Sequence, residues 1–131
     1  FDIAGRAMAA QMVRLNTISS NLANAGATTG DPETVYKPLK PEFKTQYSEN
    51  VKKNGISTVN VSKVVELQKE PFKIFDPNHP LADGDGYIYK APINVEEEMV
   101  DMMDASRQYQ NNIEVVTTLK ALTLKTINLG K

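Results

Sequence analysis

The residues with the greatest capacity for chemistry lie between positions 76 and 86. Carboxylates, an amide and an imidazole occur there in two strings, Asp76-Pro77-Asn78-His79-Pro80 and Asp83-Gly84-Asp85-Gly86. If Gly86 takes the sixth position of an EF-hand loop, Leu81 and Pro92 fall on the first and twelfth positions, so the two strongest calcium ligands are missing. His79 is the only histidine and the chain has no cysteine, which excludes a zinc site built from several imidazoles or thiolates.

The same segment has a simpler interpretation as a rigid turn. His79 could act alone as a general base, but the prolines around it favour a constrained loop. Asp, Asn, Pro and Gly form tight turns through their backbone preferences alone. The segment is therefore predicted to be a structural loop that needs no ion, and its defining residues are Asp76, Pro77, Asn78, His79 and Pro80.

A second group of carboxylates follows at Glu96-Glu97-Glu98, Asp101 and Asp104. On a helix these residues spread around the cylinder, and acidic residues in the first turn are favoured by the helix dipole. Gly84 and Gly86 precede a short predicted strand rather than a helix, so they do not form a phosphate-binding loop. The sequence therefore predicts no catalytic residue, no metal ligand and no cofactor, and the protein is not expected to be an enzyme.

The composition excludes further classes of protein. The 131 residues carry 15 Lys plus Arg against 16 Asp plus Glu, a net charge of -1. This balance lacks the basic excess of a nucleic-acid binder, so no nucleic-acid partner is expected. Since no pair of catalytic groups occurs at a useful spacing, no small-molecule substrate is expected either. No apolar run approaches the roughly 20 residues of a membrane span. The first residues do not resemble a cleavable leader, so any export is expected to use another route.

The chain divides into three segments with different patterns. Residues 1–25 show helical spacing of apolar side chains along one narrow stripe, namely Ala4, Met8, Met12, Leu15, Ile18 and Leu22. Residues 26–93 contain all seven prolines and are predicted to form a β-rich middle domain of about four strands. The predicted strands include residues 56–67, which follow the turn signal Asn54-Gly55, and residues 72–75 and 87–89.

Residues 94–131 return to a helical pattern. Asn94 is the predicted N-cap, and a stripe follows at Met99, Met102, Ser106, Tyr109, Ile113 and Val116. At 1.5 Å per residue the two terminal helices would be about 33 and 50 Å long, too long to fold around so small a β domain. The sequence therefore predicts an α+β fold in which two long terminal α-helices pack as a discontinuous coiled-coil-like layer.

Several strings in these segments resemble the signatures of a known family. They are Ser20-Asn21-Leu22-Ala23-Asn24-Ala25, Glu98-Met99-Val100 and Ala105-Ser106-Arg107-Gln108-Tyr109-Gln110-Asn111-Asn112. They are similar to the N- and C-terminal signatures of flagellar axial proteins, the subunits of the rod, the hook and the hook-associated segments. The loop at 76–87 and the end at 124–130 resemble one rod subtype within that family. One departure is the insert Thr28-Thr29-Gly30-Asp31-Pro32, which leaves the path of residues 25–36 open.

The resemblance implies a structural subunit of the proximal rod in the bacterial flagellar basal body, where the rod crosses the periplasm. Its terminal helices would polymerise into a tubular layer, as part of the drive shaft that carries torque from the membrane ring to the distal rod. The implied partners are copies of itself, other rod proteins, the membrane-ring/rod adaptor, the distal rod and the flagellar type III export apparatus. An alternative left open is a monomeric, non-enzymatic binding module built on a helical hairpin.

The residues expected to form the assembly interface lie on both terminal helices. They combine the apolar stripes with polar residues of the two signatures: Met8, Met12, Leu15, Asn21, Leu22, Asn24, Met99, Met102, Arg107, Tyr109, Asn112, Ile113 and Val116. Polar groups in a tightly packed helical layer need hydrogen-bond partners, which is why Arg107, Tyr109 and Asn112 are expected to contact other helices or subunits.

Overall fold

The computed structural model describes residues 2–46 and 58–129. It contains two long helices, α1 at Asp2–Asn24 and α2 at Val95–Leu129, of 23 and 35 residues. The α2 helix begins at a capped end, since the Asn94 side chain accepts a hydrogen bond from the Glu97 amide at 3.2 Å. The predicted α+β fold with two terminal helices is therefore confirmed, and so is the N-cap.

The two helices pack against each other in opposite directions. Gln11 Nε2 donates to Gln108 Oε1 at 2.9 Å, while Arg14, one turn later in α1, contacts Asp104 at 3.1 Å, one turn earlier in α2. If this register continues along the two helices, the first residues of α1 lie beside about residue 116 of α2. Residues 117–127 of α2 extend past the described start of α1, and all of them are exposed.

The middle segment contains two small antiparallel sheets. Strands β1 (Thr28–Thr29), β4 (Phe72–Phe75) and β5 (Tyr87–Lys90) form one sheet, with β5 in the centre. Strands β2 (Leu39–Gln46) and β3 (Thr58–Glu66) form the other, and their register shifts between Glu42 and Phe43. Both β2 and β3 also contact α1, so this second sheet connects the middle segment to the helices.

The strand predictions were partly right. The strands expected at 56–67, 72–75 and 87–89 correspond to β3, β4 and β5, whereas the turn signal Asn54-Gly55 lies outside the described residues. Strand β2 was not identified, because Pro41 and four charged or amide side chains obscure its pattern. Proline is tolerated there because β2 pairs with β3 on one side only, so one row of its amides needs no ladder partner.

The buried core is small. Val35, Ala91 and Ile93 form its centre, and Ala25, Tyr36 and Tyr89 pack around them. Many large apolar side chains of α2 remain exposed, among them Val100 and Met103 at 64% each. Within the described residues, neither helix is both long enough and apolar enough to span a membrane. The single chain therefore leaves apolar helix surface that it does not cover itself.

Candidate assembly interface

The end of α1 is joined to the middle segment by one buried side chain, Asn21. Its Nδ2 donates to the Leu39 carbonyl at 2.9 Å, and its Oδ1 accepts from the Leu39 amide at 2.8 Å and from the Tyr36 hydroxyl at 2.9 Å. Only 3% of Asn21 is exposed. The side-chain amide of Asn21 therefore forms, with the backbone of Leu39, the two hydrogen bonds that a neighbouring strand would form. Leu39 is the first residue of β2.

Ser20 completes this junction. Its hydroxyl lies 2.8 Å from the Tyr36 hydroxyl, and since Tyr36 already donates to Asn21, Ser20 is the donor in this contact. Asn24, by contrast, donates to the Ser20 carbonyl one turn back in the same helix, at 2.8 Å. The two asparagines of the same signature thus form different contacts. Asn21 connects α1 to the start of β2, and the Asn24 side chain bonds within the last turns of its own helix.

The junction also reaches α2 through Glu98. Burial raises the pKa of the Glu98 carboxyl above its usual range, and a hydrogen bond from the Asn21 side chain partly opposes that rise. The nearby carboxylates of Asp101 and Glu97 raise the pKa further. Ionisation of Glu98 therefore costs free energy in the folded chain, at the point where α1, α2 and β2 meet.

The seam between the helices combines small, apolar and charged contacts. Ala105 is fully buried at 0% exposure, and Arg14 forms ion pairs with Asp104 at 3.1 Å and Asp101 at 3.8 Å. Ala105 was not among the predicted interface residues, although it directly follows Asp104, which contacts Arg14 of α1. Its signal in the sequence is weak, because alanine contributes little to an apolar pattern.

The structure separates the predicted interface residues into two groups. Several are buried or half-buried within the single chain: Met8, Leu15, Asn21, Leu22, Asn24, Met102, Tyr109, Asn112 and Val116. Four others are exposed: Met12, Met99, Arg107 and Ile113. The exposed fraction of Met99 is 54%, and the Arg107 side chain makes no hydrogen bond or ion pair with any other residue that the structure describes. The second group is therefore available to a neighbouring molecule.

The loop from Asp76 to Gly86 is organised around Asp83. Its Oδ1 accepts from the amides of Asp85 at 3.0 Å and Tyr87 at 2.9 Å, and its Oδ2 accepts from the Tyr89 hydroxyl at 3.1 Å. The bond from the Tyr87 amide is the main reason why the pKa of Asp83 lies below its usual range. For Tyr89, burial and then the bond to Asp83 raise the pKa of the hydroxyl.

The five predicted loop residues lie at the other end of this segment. The Asp76 carbonyl accepts from the His79 amide at 3.1 Å, and His79 Nδ1 accepts from the Leu81 amide at 3.0 Å. The described residues contain no group of three or more His, Cys, Asp and Glu side chains that could hold a metal ion. Pro77, Asn78 and Pro80 are exposed. Asp76, His79 and Asp83 thus make local hydrogen bonds of the kind found in turns.

Two glycines allow close approaches around this loop. Gly86 has a φ of +87°, and a Cβ atom there would lie 3.0 Å from the Phe75 ring and 3.1 Å from Pro77. A Cβ atom on Gly30 would collide with the Leu81 carbonyl. Gly30 belongs to the insert whose path the sequence left open, and the insert is now seen to run against the loop, with β1 paired to β5.

A groove of about 410 Å³ lies between the helix pair and the β2–β3 sheet. Its walls include apolar Ile18 and Phe43, with Arg14 on one side and Glu97 and Asp101 on the other. Arg14 is paired with Asp101 at 3.8 Å, and Lys40, Lys69 and Glu98 line the same groove. Its described walls thus carry six charged side chains of mixed sign, unlike the mostly apolar pockets that bind small molecules.

Comparisons with known proteins match both ends of the chain. Residues 1–30 match the family model described as "Flagella basal body rod protein", and residues 85–129 match the one described as "Flagellar basal body rod FlgEFG protein C-terminal". These ranges contain all of α1 and α2, and with them Asn21 and the helix seam, whereas the Asn21 partners Tyr36 and Leu39 lie outside them. The matched residues are thus the ones that build the helix pair.

Relatives along the whole chain agree with these matches. The chain is 43% identical to the flagellar basal-body rod protein FlgC of Salmonella typhimurium, over 100% of the chain and 96% of that protein. It is 41% identical to FlgC of Escherichia coli O157:H7 and 27% identical to FlgC of Buchnera aphidicola from Baizongia pistaciae, with the same coverage. The chain therefore belongs to the FlgC family of flagellar basal-body rod proteins, the structural subunits of the basal-body rod.

Proposed function

We propose that this rod subunit polymerises through the helix surface that the single chain leaves uncovered. The observation that carries the proposal is the exposed apolar surface of α2, where Met99, Val100 and Met103 are exposed at 54%, 64% and 64%. Apolar area of this kind is stabilised by about 25 cal/mol for each Å² that a neighbour covers. In a polymer, a neighbouring copy of the subunit would cover that surface, so no other ligand is needed to bury it.

The predicted interface residues would divide their roles accordingly. Met12, Met99, Arg107 and Ile113 are exposed and would contact neighbouring subunits directly. The half-buried or buried members of the set would keep α1 and α2 in one rigid pair, so that the exposed members keep a fixed spacing. The loop of Asp76, Pro77, Asn78, His79 and Pro80 would hold the middle domain in place as a turn, without an ion or cofactor.

The mechanical role follows from this arrangement. A rod that carries torque from the membrane ring to the distal rod needs subunits that resist shear, and two long helices packed side by side are stiff along their length. Its partners would be copies of the chain, other rod proteins, the membrane-ring/rod adaptor and the distal rod, after delivery through the flagellar type III export apparatus. Catalysis is not part of this role, since the polar groups of the junction, seam and loop are committed to structural hydrogen bonds.

Cysteine accessibility tests the proposal, since the chain has no cysteine of its own. Met103→Cys should react with a maleimide in the free chain and become protected in purified basal bodies. Glu33→Cys, an exposed position far from α2 in the sequence, serves as the matched control and should react in both states. If Met103→Cys reacts equally in both states while the variant is present in the basal bodies, the proposed interface is wrong.

A further inference from the structure

The side of α2 that faces away from α1 has a regular alternation of charge. Glu96, Arg107, Glu114 and Lys125 lie within about 20° of one another around the helix, because the steps of 11, 7 and 11 residues are close to whole numbers of turns. These four residues form a charged line that lies about 170° around the helix axis from Ala105, the buried residue of the seam. All four charged side chains are exposed.

The spacing prevents these charges from pairing within α2. Opposite charges on a helix stabilise each other when they are three or four residues apart, and Glu96, Glu114 and Lys125 have no opposite charge at those positions. Arg107 has Asp104 three residues before it, but that carboxylate contacts Arg14 and Gln108. None of the four takes part in an ion pair with another residue of the described chain. Their charges therefore remain available to a neighbour.

We propose that α2 packs along the α2 helix of a second copy of the chain, parallel to it and shifted by 11 residues. Arg107 then faces Glu96 of the neighbouring copy, and Lys125 faces Glu114 of the neighbouring copy. The shift corresponds to three helical turns, or about 16.5 Å along the axis. The inference rests on the proposed assembly through α2, and it adds which residues meet and in which register.

Other parallel registers are less complementary. A parallel shift of 7 or 29 residues forms one pair, and a shift of 18 brings Lys125 onto Arg107 and Glu114 onto Glu96. An antiparallel arrangement would pair all four charges, but it is a two-fold contact that closes on itself as a dimer. A rod extends by repeating one contact in one direction, which requires the parallel arrangement.

The charges would set the register rather than supply most of the affinity. Exposed ion pairs contribute little stability and are screened by salt, whereas opposed like charges are strongly unfavourable. Val100 and Met103, each 64% exposed, lie beside the charged line and would provide apolar contact. The alternating charges therefore mainly destabilise the wrong registers, as charged positions do in coiled coils.

Charge reversal in bacteria that lack their own copy of this subunit tests the inference. Arg107→Glu should lower the amount of subunit in purified basal bodies by about five-fold or more, because it opposes Glu96 of the neighbouring copy. Adding Glu96→Arg to the same chain should restore at least half of the loss. No loss in the single variant, or no recovery in the double variant, would overturn the proposed register. Absence of the unmodified chain from basal bodies would instead contradict the proposed function itself.

Disulfide trapping distinguishes the two orientations independently. Two single-cysteine variants, Glu96→Cys and Arg107→Cys, are produced together and oxidised in the assembled rod. The mixed disulfide should exceed by about five-fold that of the matched control pair, Glu96→Cys with Glu114→Cys, which lies about 10 Å out of register. A dominant product from Glu96→Cys with Lys125→Cys would show the antiparallel arrangement and overturn the inference.

Discussion

Replacement of Asn21 by alanine should destabilise the chain more than any other single change in its signature. The substitution removes three hydrogen bonds of 2.8 to 2.9 Å, two of them to the Leu39 backbone, and also the hydrogen bond from Asn21 to Glu98. An unsatisfied buried polar group costs about 1 to 3 kcal/mol, but Leu39 and Tyr36 are half-buried, so water can replace part of the loss. We therefore expect a total of about 3 kcal/mol, a large share of the 5 to 15 kcal/mol typical of a domain.

Urea unfolding of the purified chain, followed by circular dichroism, measures this loss. With a slope of about 1.5 to 3 kcal/mol per M, the midpoint should fall by about 1 to 2 M. Asn24→Ala is the matched control, because the Asn24 side chain bonds, within the described residues, only to the Ser20 carbonyl of its own helix. The loss of stability in this variant should stay below about 1 kcal/mol. Equal losses in the two variants would refute the view that Asn21 joins α1 to the middle segment.

Three further predictions concern Glu98, Gly86 and the His79 loop. Glu98→Gln should raise the urea midpoint at pH 7. Because burial raises the pKa of Glu98, its ionisation opposes folding above that pKa, and the difference between variant and parent should vanish as the pH falls to about 4. Gly86→Ala should lower the free energy of unfolding by about 1 to 3 kcal/mol, since φ is +87° and the new Cβ would crowd Phe75. Calcium, zinc or a chelator should leave the melting temperature unchanged, whereas a rise with added ion would show a site around His79.

The sequence was a good guide to the helices and a weaker guide to how they face each other. Periodicity predicted both helices and the Asn94 cap, because apolar spacing and capping are local properties. On α2 the predicted stripe ran through Met99 and Ile113, both exposed in the structure, and it did not include Ala105, which is fully buried. The part of an apolar helix face that contacts another helix depends on how closely the two backbones can approach. That distance depends on the residues of both helices and cannot be read from one helix alone.

The polar junction shows a different limit of sequence reasoning. Ser20, Asn21 and Asn24 stood out as a signature, but the side-chain hydrogen bonds of Ser20 and Asn21 depend on Tyr36 and Leu39, which lie 15 or more residues away. The strand that begins at Leu39 was not predicted, so the partner of Asn21 was also missing from the sequence analysis. Long-range hydrogen bonds of this kind follow from the tertiary fold and have no local pattern of their own.

The distance along the chain between the two helices affects when folding can finish. Gln11 and Gln108 are 97 residues apart in sequence, and yet they share a hydrogen bond. Contacts of such high sequence separation form late, because the loop between them must close before they contribute any stability. A chain whose last third has not yet been synthesised therefore cannot form the helix pair. The subunit reaches its final fold only once α2 is present, however early α1 and the middle segment become ordered.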